Sequence, residues 1–318
     1  MHSTAQRAAK LLSHKRVLVV GDSVSQQWAN ALLLDLRGRG FLPAAPSWND
    51  TVSNIGLVPA SRPFFQQHLA QRMYCDGLPT MTFRGGTGGR ADSARGKVGA
   101  AHRWNESKQH AVHMVQQFSI HRAACNGHHA GCCQGSDPPL HALSKLLRSQ
   151  QPHIVVANYG VHWHGEQLQG GEYYNHTAAL LATLTEYAGE RARDKVSAPL
   201  LLLRETFPQH FRGGSYDHTN REGGRGSGCV DVGYDPVRDG YGPAAFNQLA
   251  KAAVSASQAA GGAVRMYGRA FRALVPRRDA HPPAVLDCTH WCYSPLLWDP
   301  VLAPFYEEVV LRFDSTSA

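Results

Sequence analysis

At 318 residues, with 43% hydrophobic and 18% charged, the chain has the make-up of an ordinary globular protein and is excluded from the disordered class. Its net charge of +8 is scattered, the densest cluster being Arg277-Arg278, and not gathered into the aromatic-interleaved basic runs of a nucleic-acid binder, so no nucleic-acid partner is expected. No apolar run approaches the roughly 20 residues that cross a bilayer, so no membrane span is expected in this chain.

Residues 1–15 are polar, basic and short, without the apolar core of a signal peptide. They read as an N-terminal extension before a single domain over 16–318, with a lost N-terminal anchor left open; as written the chain reads as soluble. The run Arg16-Val17-Leu18-Val19-Val20 follows as a first strand. Ala29, Leu32, Leu33 and Leu36 then recur at helical spacing, with Gly38 placed to end the helix. Leu140, Leu143 and Leu147 mark a second helix, and Ile154-Val155-Val156-Ala157 a second strand. A helical pattern over Ala179 to Tyr187 leads to the strand Leu200-Leu201-Leu202-Leu203. Phe246, Leu249, Ala250 and Ala253 mark a helix directly before Val264-Arg265-Met266-Tyr267.

Continuous apolar runs of this length suit strands buried on both faces of a parallel sheet. Alternation with helices predicts a three-layer α/β/α sandwich with a central parallel sheet. Residues 75–137, rich in Gly, His, Arg and Cys, and the Gly-rich segment 205–243 are long for loops and are expected to decorate the strand ends.

The first strand runs into Gly21-Asp22-Ser23-Val24-Ser25 and then a helix. Ligands of open α/β sheets bind beyond the carboxyl ends of strands. A serine at that turn meets the free N–H groups of a helix N-terminus, which suit a nucleophile whose attack creates an oxyanion. The plain alternative is that Ser23 merely caps the helix. A nucleophilic serine needs a base and a group to orient that base. Leu286-Asp287-Cys288-Thr289-His290-Trp291-Cys292 supplies both, with Asp287 and His290 three residues apart.

These two motifs, together with Arg204-Glu205-Thr206-Phe207-Pro208-Gln209-His210-Phe211-Arg212-Gly213-Gly214, resemble the PC-esterase branch of the SGNH/GDSL superfamily. That branch includes the trichome-birefringence-like polysaccharide O-acetyltransferases of plants. The resemblance runs from about Arg16 to Phe313. It implies the SGNH, flavodoxin-like version of the sandwich, with Ser23 as nucleophile, His290 as general base and Asp287 as its orienter. Val156-Ala157-Asn158-Tyr159-Gly160-Val161-His162-Trp163 is similar to the family's Asn-x-Gly…His-Trp block. By that likeness Asn158 joins the Ser23 N–H in an oxyanion hole, and His162, Trp163, His210 and Trp291 bind the sugar.

The implied activity is serine-dependent transfer of an acyl group, most plausibly acetyl, to a carbohydrate hydroxyl. The alternatives are an acetylesterase with the same triad or a non-catalytic carbohydrate-binding protein that kept the fold. No permanently bound cofactor is expected; the acyl donor is left unknown, with acetyl-CoA and an acetylated intermediate as candidates, and the expected partner is a poly- or oligosaccharide.

The chain departs from the plant pattern in three places. Gln26 stands where an arginine is usual, the Cys-rich region ahead of the G-D-S strand is absent, and Val161 is inserted before His162. The loop glycine of the oxyanion hole has only Gly56 and Gly85 as candidates.

Seven cysteines and the sequons at Asn49, Asn105 and Asn175 point to a disulfide-permitting secretory compartment, Golgi lumen or cell exterior, where cell-wall glycans are modified. The cluster Cys125-Asn126-Gly127-His128-His129-Ala130-Gly131-Cys132-Cys133 could hold zinc, but without a second ligand pair disulfides or plain loop residues are favoured and no metal is expected. The resemblance implies a Cys229–Cys288 disulfide, with Cys292 joined to a cysteine of the 75–133 region.

Overall fold

The computed structural model describes residues 3–13, 15–39, 57–59, 115–119, 139–158, 160–163, 171–194, 197–211, 228–233, 243–282 and 288–314. Helix α1 (Thr4–Leu11) leads into strand β1 (Val17–Gly21) and helix α2 (Ser23–Gly38). Strands β2 (Leu57–Pro59) and β3 (Val115–Ser119) precede helix α3 (Pro139–Gln150) and strand β4 (Ile154–Asn158). A 3-10 turn at Gly160–His162 comes next, then helix α4 (Glu172–Arg193) and strand β5 (Leu200–Arg204). The chain ends through α5 (Pro243–Ala259), β6 (Arg265–Tyr267), α6 (Ala270–Leu274), a second 3-10 turn (Arg278–Ala280) and α7 (Pro295–Phe313).

The strands form one sheet in the order β2-β3-β1-β4-β5-β6. Strands β3, β1, β4, β5 and β6 run parallel, and only β2, at the edge, is antiparallel. β1, β4 and β5 are buried along their whole length, as their unbroken Val/Ile/Leu runs require. Alternate residues serve opposite faces. Val17, Val19, Ile154, Val156, Leu200 and Leu202 meet α1, α2, α6 and α7 on one side. Leu18, Val20, Val155, Ala157, Leu201 and Leu203 meet α3, α4 and α5 on the other. The expected three-layer α/β/α arrangement around a parallel sheet is thus observed.

Strand order makes β1 the centre. Its neighbours are β3 on one side and β4 on the other, and chain direction across the sheet reverses there. Such a switch point opens a crevice beyond the carboxyl ends of the strands. The register aligns Gly21 with Ser119 and Asn158, and Arg204 with Tyr267, so these residues mark the rim.

Two parts differ from the sequence reading. Residues 4–11, read as an extension, form α1; Ala8, Ala9 and Leu12 are fully buried against α7, because small alanines let the two helices approach closely. Strand β3 lies inside the 75–137 stretch read as a loop, its two glutamines, Gln116 and Gln117, having interrupted the apolar run that signals a strand. Cys229 and Cys288 form the expected disulfide. Cys292 is also disulfide-bonded, with its partner outside the described residues. Asn175 is exposed in the first turn of α4, whereas Asn49 and Asn105 lie outside the described residues. Among the described residues no helix is long and apolar enough to cross a membrane.

Candidate active site

Ser23 opens α2 directly after the central strand. The capping duty that a serine there could have performed belongs to its neighbour. Asp22 Oδ1 accepts from the backbone N–H of Val24 and of Ser25, both at 3.1 Å, which satisfies two of the orphan donors of the first turn. Asp22 is wholly buried, and its Oδ2 accepts from the Val161 N–H at 3.4 Å, tying the β1 turn to the 3-10 turn after β4. Gly21 is required by space: a Cβ there would collide with the Asn158 carbonyl oxygen and the Ser25 hydroxyl.

Below this turn lies a buried polar network. Ser25 Oγ donates to the Asn158 carbonyl at 3.0 Å and accepts from Arg204 Nη2 at 3.2 Å. Arg204 is buried, with its guanidinium over the Phe207 ring at 4.0 Å and Nη1 donating to the Glu205 carbonyl. Burial pulls its pKa below the arginine range, while Tyr267, Asp22 and Glu205 oppose that shift. Asn158 is buried too. Its Nδ2 donates to the Arg204 carbonyl at 2.8 Å and to Thr206 Oγ1 at 2.9 Å, and its Oδ1 accepts from Arg204 Nη2 at 3.3 Å. Gly160 is held to a hydrogen side chain because a Cβ would collide with the Thr206 hydroxyl.

The C-terminal motif is drawn against both of these groups. Gln27, one turn along α2 from Ser23, is buried on the helix's core side. Its Oε1 accepts from the Trp291 N–H at 3.0 Å, and its Nε2 donates to the Trp291 carbonyl. The residue after His290 is therefore held at both ends of its backbone by α2. The segment after β5 closes the other side: the His210 N–H donates to the Cys288 carbonyl at 2.9 Å, and Gln209 Nε2 to Thr289 Oγ1 at 3.0 Å. His210 and His281 form a buried pair, Nδ1 to Nε2 at 2.7 Å, with His210 Nε2 at the Val275 carbonyl and His281 Nδ1 at the His290 carbonyl. The Cys229–Cys288 bridge anchors the segment two residues before His290.

Four sequence motifs thus close a ring at one end of the sheet. The G-D-S turn touches the Asn158 block through Ser25 and Asp22, and that block touches Arg204 and Thr206. Gln209 and His210 touch the Cys288–His290 segment, which returns to α2 through Gln27.

His290 is half-buried in this ring. Asp287, Gly56 and Gly85 lie outside the described residues, as do the side chains of Ser23, Gln26 and His162. The Cys125–Cys133 cluster lies outside them as well, and among the described residues no group of three or more acids, histidines or cysteines could hold a metal.

Two expectations change. Asn158 stands beside the Ser23 turn, but both hydrogens of its amide are committed inside the network, so in this arrangement it braces the turn and offers no donor to an oxyanion. Trp163, Trp291 and His210 are core residues, not sugar platforms. Trp163 packs edge-on to Tyr173 at 5.2 Å, and Trp291 lies against His210 and His281, each ring buried.

The sequence reading assigns no role to Asp22, Gln27, Thr206 or His281. Gln27 carried a legible signal, as a polar residue beside Trp28 on the apolar stripe that runs from Val24 to Ala31. A comparison of the chain with protein-family models, curated proteins and solved structures returned no match.

Proposed function

We propose that the protein is a serine-dependent acyltransferase or esterase acting on carbohydrate hydroxyls, of the SGNH type, with Ser23, His290 and Asp287 in its triad. The observation that carries the reading is the double hydrogen bond between Gln27 and the Trp291 backbone. It brings two segments 264 residues apart together, one bearing the candidate nucleophile and the other the candidate base. The Asp22 cap supports it further, because it relieves Ser23 of a structural task.

In this mechanism His290 takes the Ser23 hydroxyl proton as Oγ attacks the acyl carbonyl. The oxyanion forms at the amino end of α2, where the Ser23 N–H and the helix dipole favour negative charge. His290 then returns its proton to the leaving oxygen. Water or a sugar hydroxyl, deprotonated by the same histidine, resolves the acyl-enzyme. Asn158 acts through position, fixing the rim beside Ser23. Flavodoxin-type strand order, with the site at the central strand, accords with the SGNH form of the sandwich. The carbohydrate acceptor rests on the motif resemblance alone, as does a secretory location.

The test is Ser23→Ala. Turnover of p-nitrophenyl acetate or an acetylated oligosaccharide is expected to fall by at least about 1,000-fold, and a fluorophosphonate probe to label native protein at Ser23 only. Unchanged turnover in the variant would sink the triad. Mass spectrometry of oligosaccharides incubated with and without an acetyl donor separates transferase from esterase.

A further inference from the structure

We infer that His281 is a positively charged positioning residue for His290, with His210 behind it and Gln27 holding both ends of the Trp291 backbone. The role rests on the acyl-transfer reading above; the charge does not.

Proton counting carries the argument. His281 Nδ1 lies 2.6 Å from the His290 carbonyl oxygen, and His210 Nε2 lies 2.8 Å from the Val275 carbonyl oxygen. A carbonyl oxygen only accepts, so both of these outer nitrogens carry hydrogen. A neutral imidazole has one N–H, so two neutral rings would leave bare lone pairs facing each other across the 2.7 Å between His210 Nδ1 and His281 Nε2. One more proton in that gap removes the conflict. The pair then holds three hydrogens and a single positive charge, donating outward at both ends.

The charge belongs on His281. Burial lowers the pKa of His210, against the pull of the Val275 carbonyl, Asp231 and Asp279, and so keeps that ring neutral. His281 instead lies with the Trp291 ring centre 4.2 Å from its own, a contact that favours a cation. Among the described residues the charged groups around the pair are Asp279, paired with Arg277, and Arg278, paired with Asp231, with His290 itself a further titratable neighbour. Asp279 is held below the usual carboxylate range first by Arg277 and in part by His281.

Two effects on His290 follow. Its carbonyl is fixed by a charge-assisted hydrogen bond, stronger than a neutral one, while Gln27 holds the N–H of that same peptide unit and the carbonyl of the next. A cation at its backbone also disfavours protonation of its own ring, so the base stays free to lower pH.

The full-length native chain, His281→Asn, His281→Leu and Gln27→Leu would be compared. Three readouts serve: fluorophosphonate labelling of Ser23, the pH profile of p-nitrophenyl acetate hydrolysis, and long-range proton–nitrogen NMR of the imidazoles. In native protein at pH 7 both nitrogens of His281 are expected to carry hydrogen, the signal being recognised by its loss in His281→Asn. Asparagine keeps a donor near the Nδ1 position but carries no charge. Its kcat should stay within about tenfold of native, while the acid limb of kcat/KM moves up by roughly half a pH unit or more.

His281→Leu and Gln27→Leu should each lower kcat by about 10–100-fold with little change in KM, and Gln27→Leu should leave the acid limb in place. If the leucine variants do not fold, the native NMR spectrum and the asparagine variant still decide. A singly protonated His281 at pH 7 in labelled native protein, or an unmoved acid limb in His281→Asn, overturns the inference alone. Failure of native protein to label at Ser23 overturns the acyl-transfer reading and the positioning role with it, whatever the nitrogen signals show.

Discussion

Asn158 sits where the rim of the sheet meets the G-D-S turn, and its amide bonds to Arg204 and Thr206 make it a brace. An oxyanion donor and a brace respond differently to truncation. Loss of a donor lowers rate and leaves stability alone, whereas Asn158→Ala strips partners from buried polar groups. We expect Asn158→Ala to cost about 1–3 kcal/mol in urea denaturation, as well as activity. Native stability with reduced kcat would restore the oxyanion role. The motif resemblance implies Asn158 beside Ser23 but not the direction of its amide, because Arg204 and Thr206 lie on another strand and the segment after it. Asp22 shows the same limit. Its residue type is a good cap, yet whether it or Ser23 caps α2 depends on the geometry of the turn, which the string of letters does not contain.

Among the elements, those with unbroken apolar runs or clean helical spacing were legible: β1, β4, β5, β6 and helices α2 to α5. Elements whose signal is short or diluted were not. Strand β3 is interrupted by glutamines, and α1 is too short and too alanine-rich to announce a buried face. That helix nonetheless belongs to the core. Leu12, at its C-cap, is wholly buried, whereas Leu11 is only partly so. Leu12→Ala is therefore expected to destabilise the protein by about 2–5 kcal/mol, with a smaller cost for Leu11→Ala, both read from denaturant midpoints. Equal, negligible effects would return residues 1–15 to the status of an appendage.

The whole molecule is expected to lose stability at alkaline pH. Burial raises Tyr173 and Tyr187 to about 12, and raises Tyr267 and Tyr306 well above the ordinary tyrosine range. The sign follows from proton counting. Above pH ~10 the unfolded chain has lost phenolic protons that the folded one keeps, so the folded state binds more protons and stability falls as pH rises. Each such tyrosine contributes a slope of up to about 1.4 kcal/mol per pH unit in that window. Tyrosinate absorbance near 295 nm should thus appear for these residues together with loss of helical circular dichroism, not before it. Their titration in a fully folded protein would contradict the burial described.

One consequence of the Gln27–Trp291 clasp concerns the order in which the protein is made. Its two halves are 264 residues apart, a high contact order that places their meeting late in folding. On the reading proposed above, synthesis delivers the segment bearing the nucleophile well before the segment bearing its base. The growing chain then carries Ser23 through the making of the intervening residues with nothing to activate it, and reactivity arrives only when the Trp291 segment docks on α2.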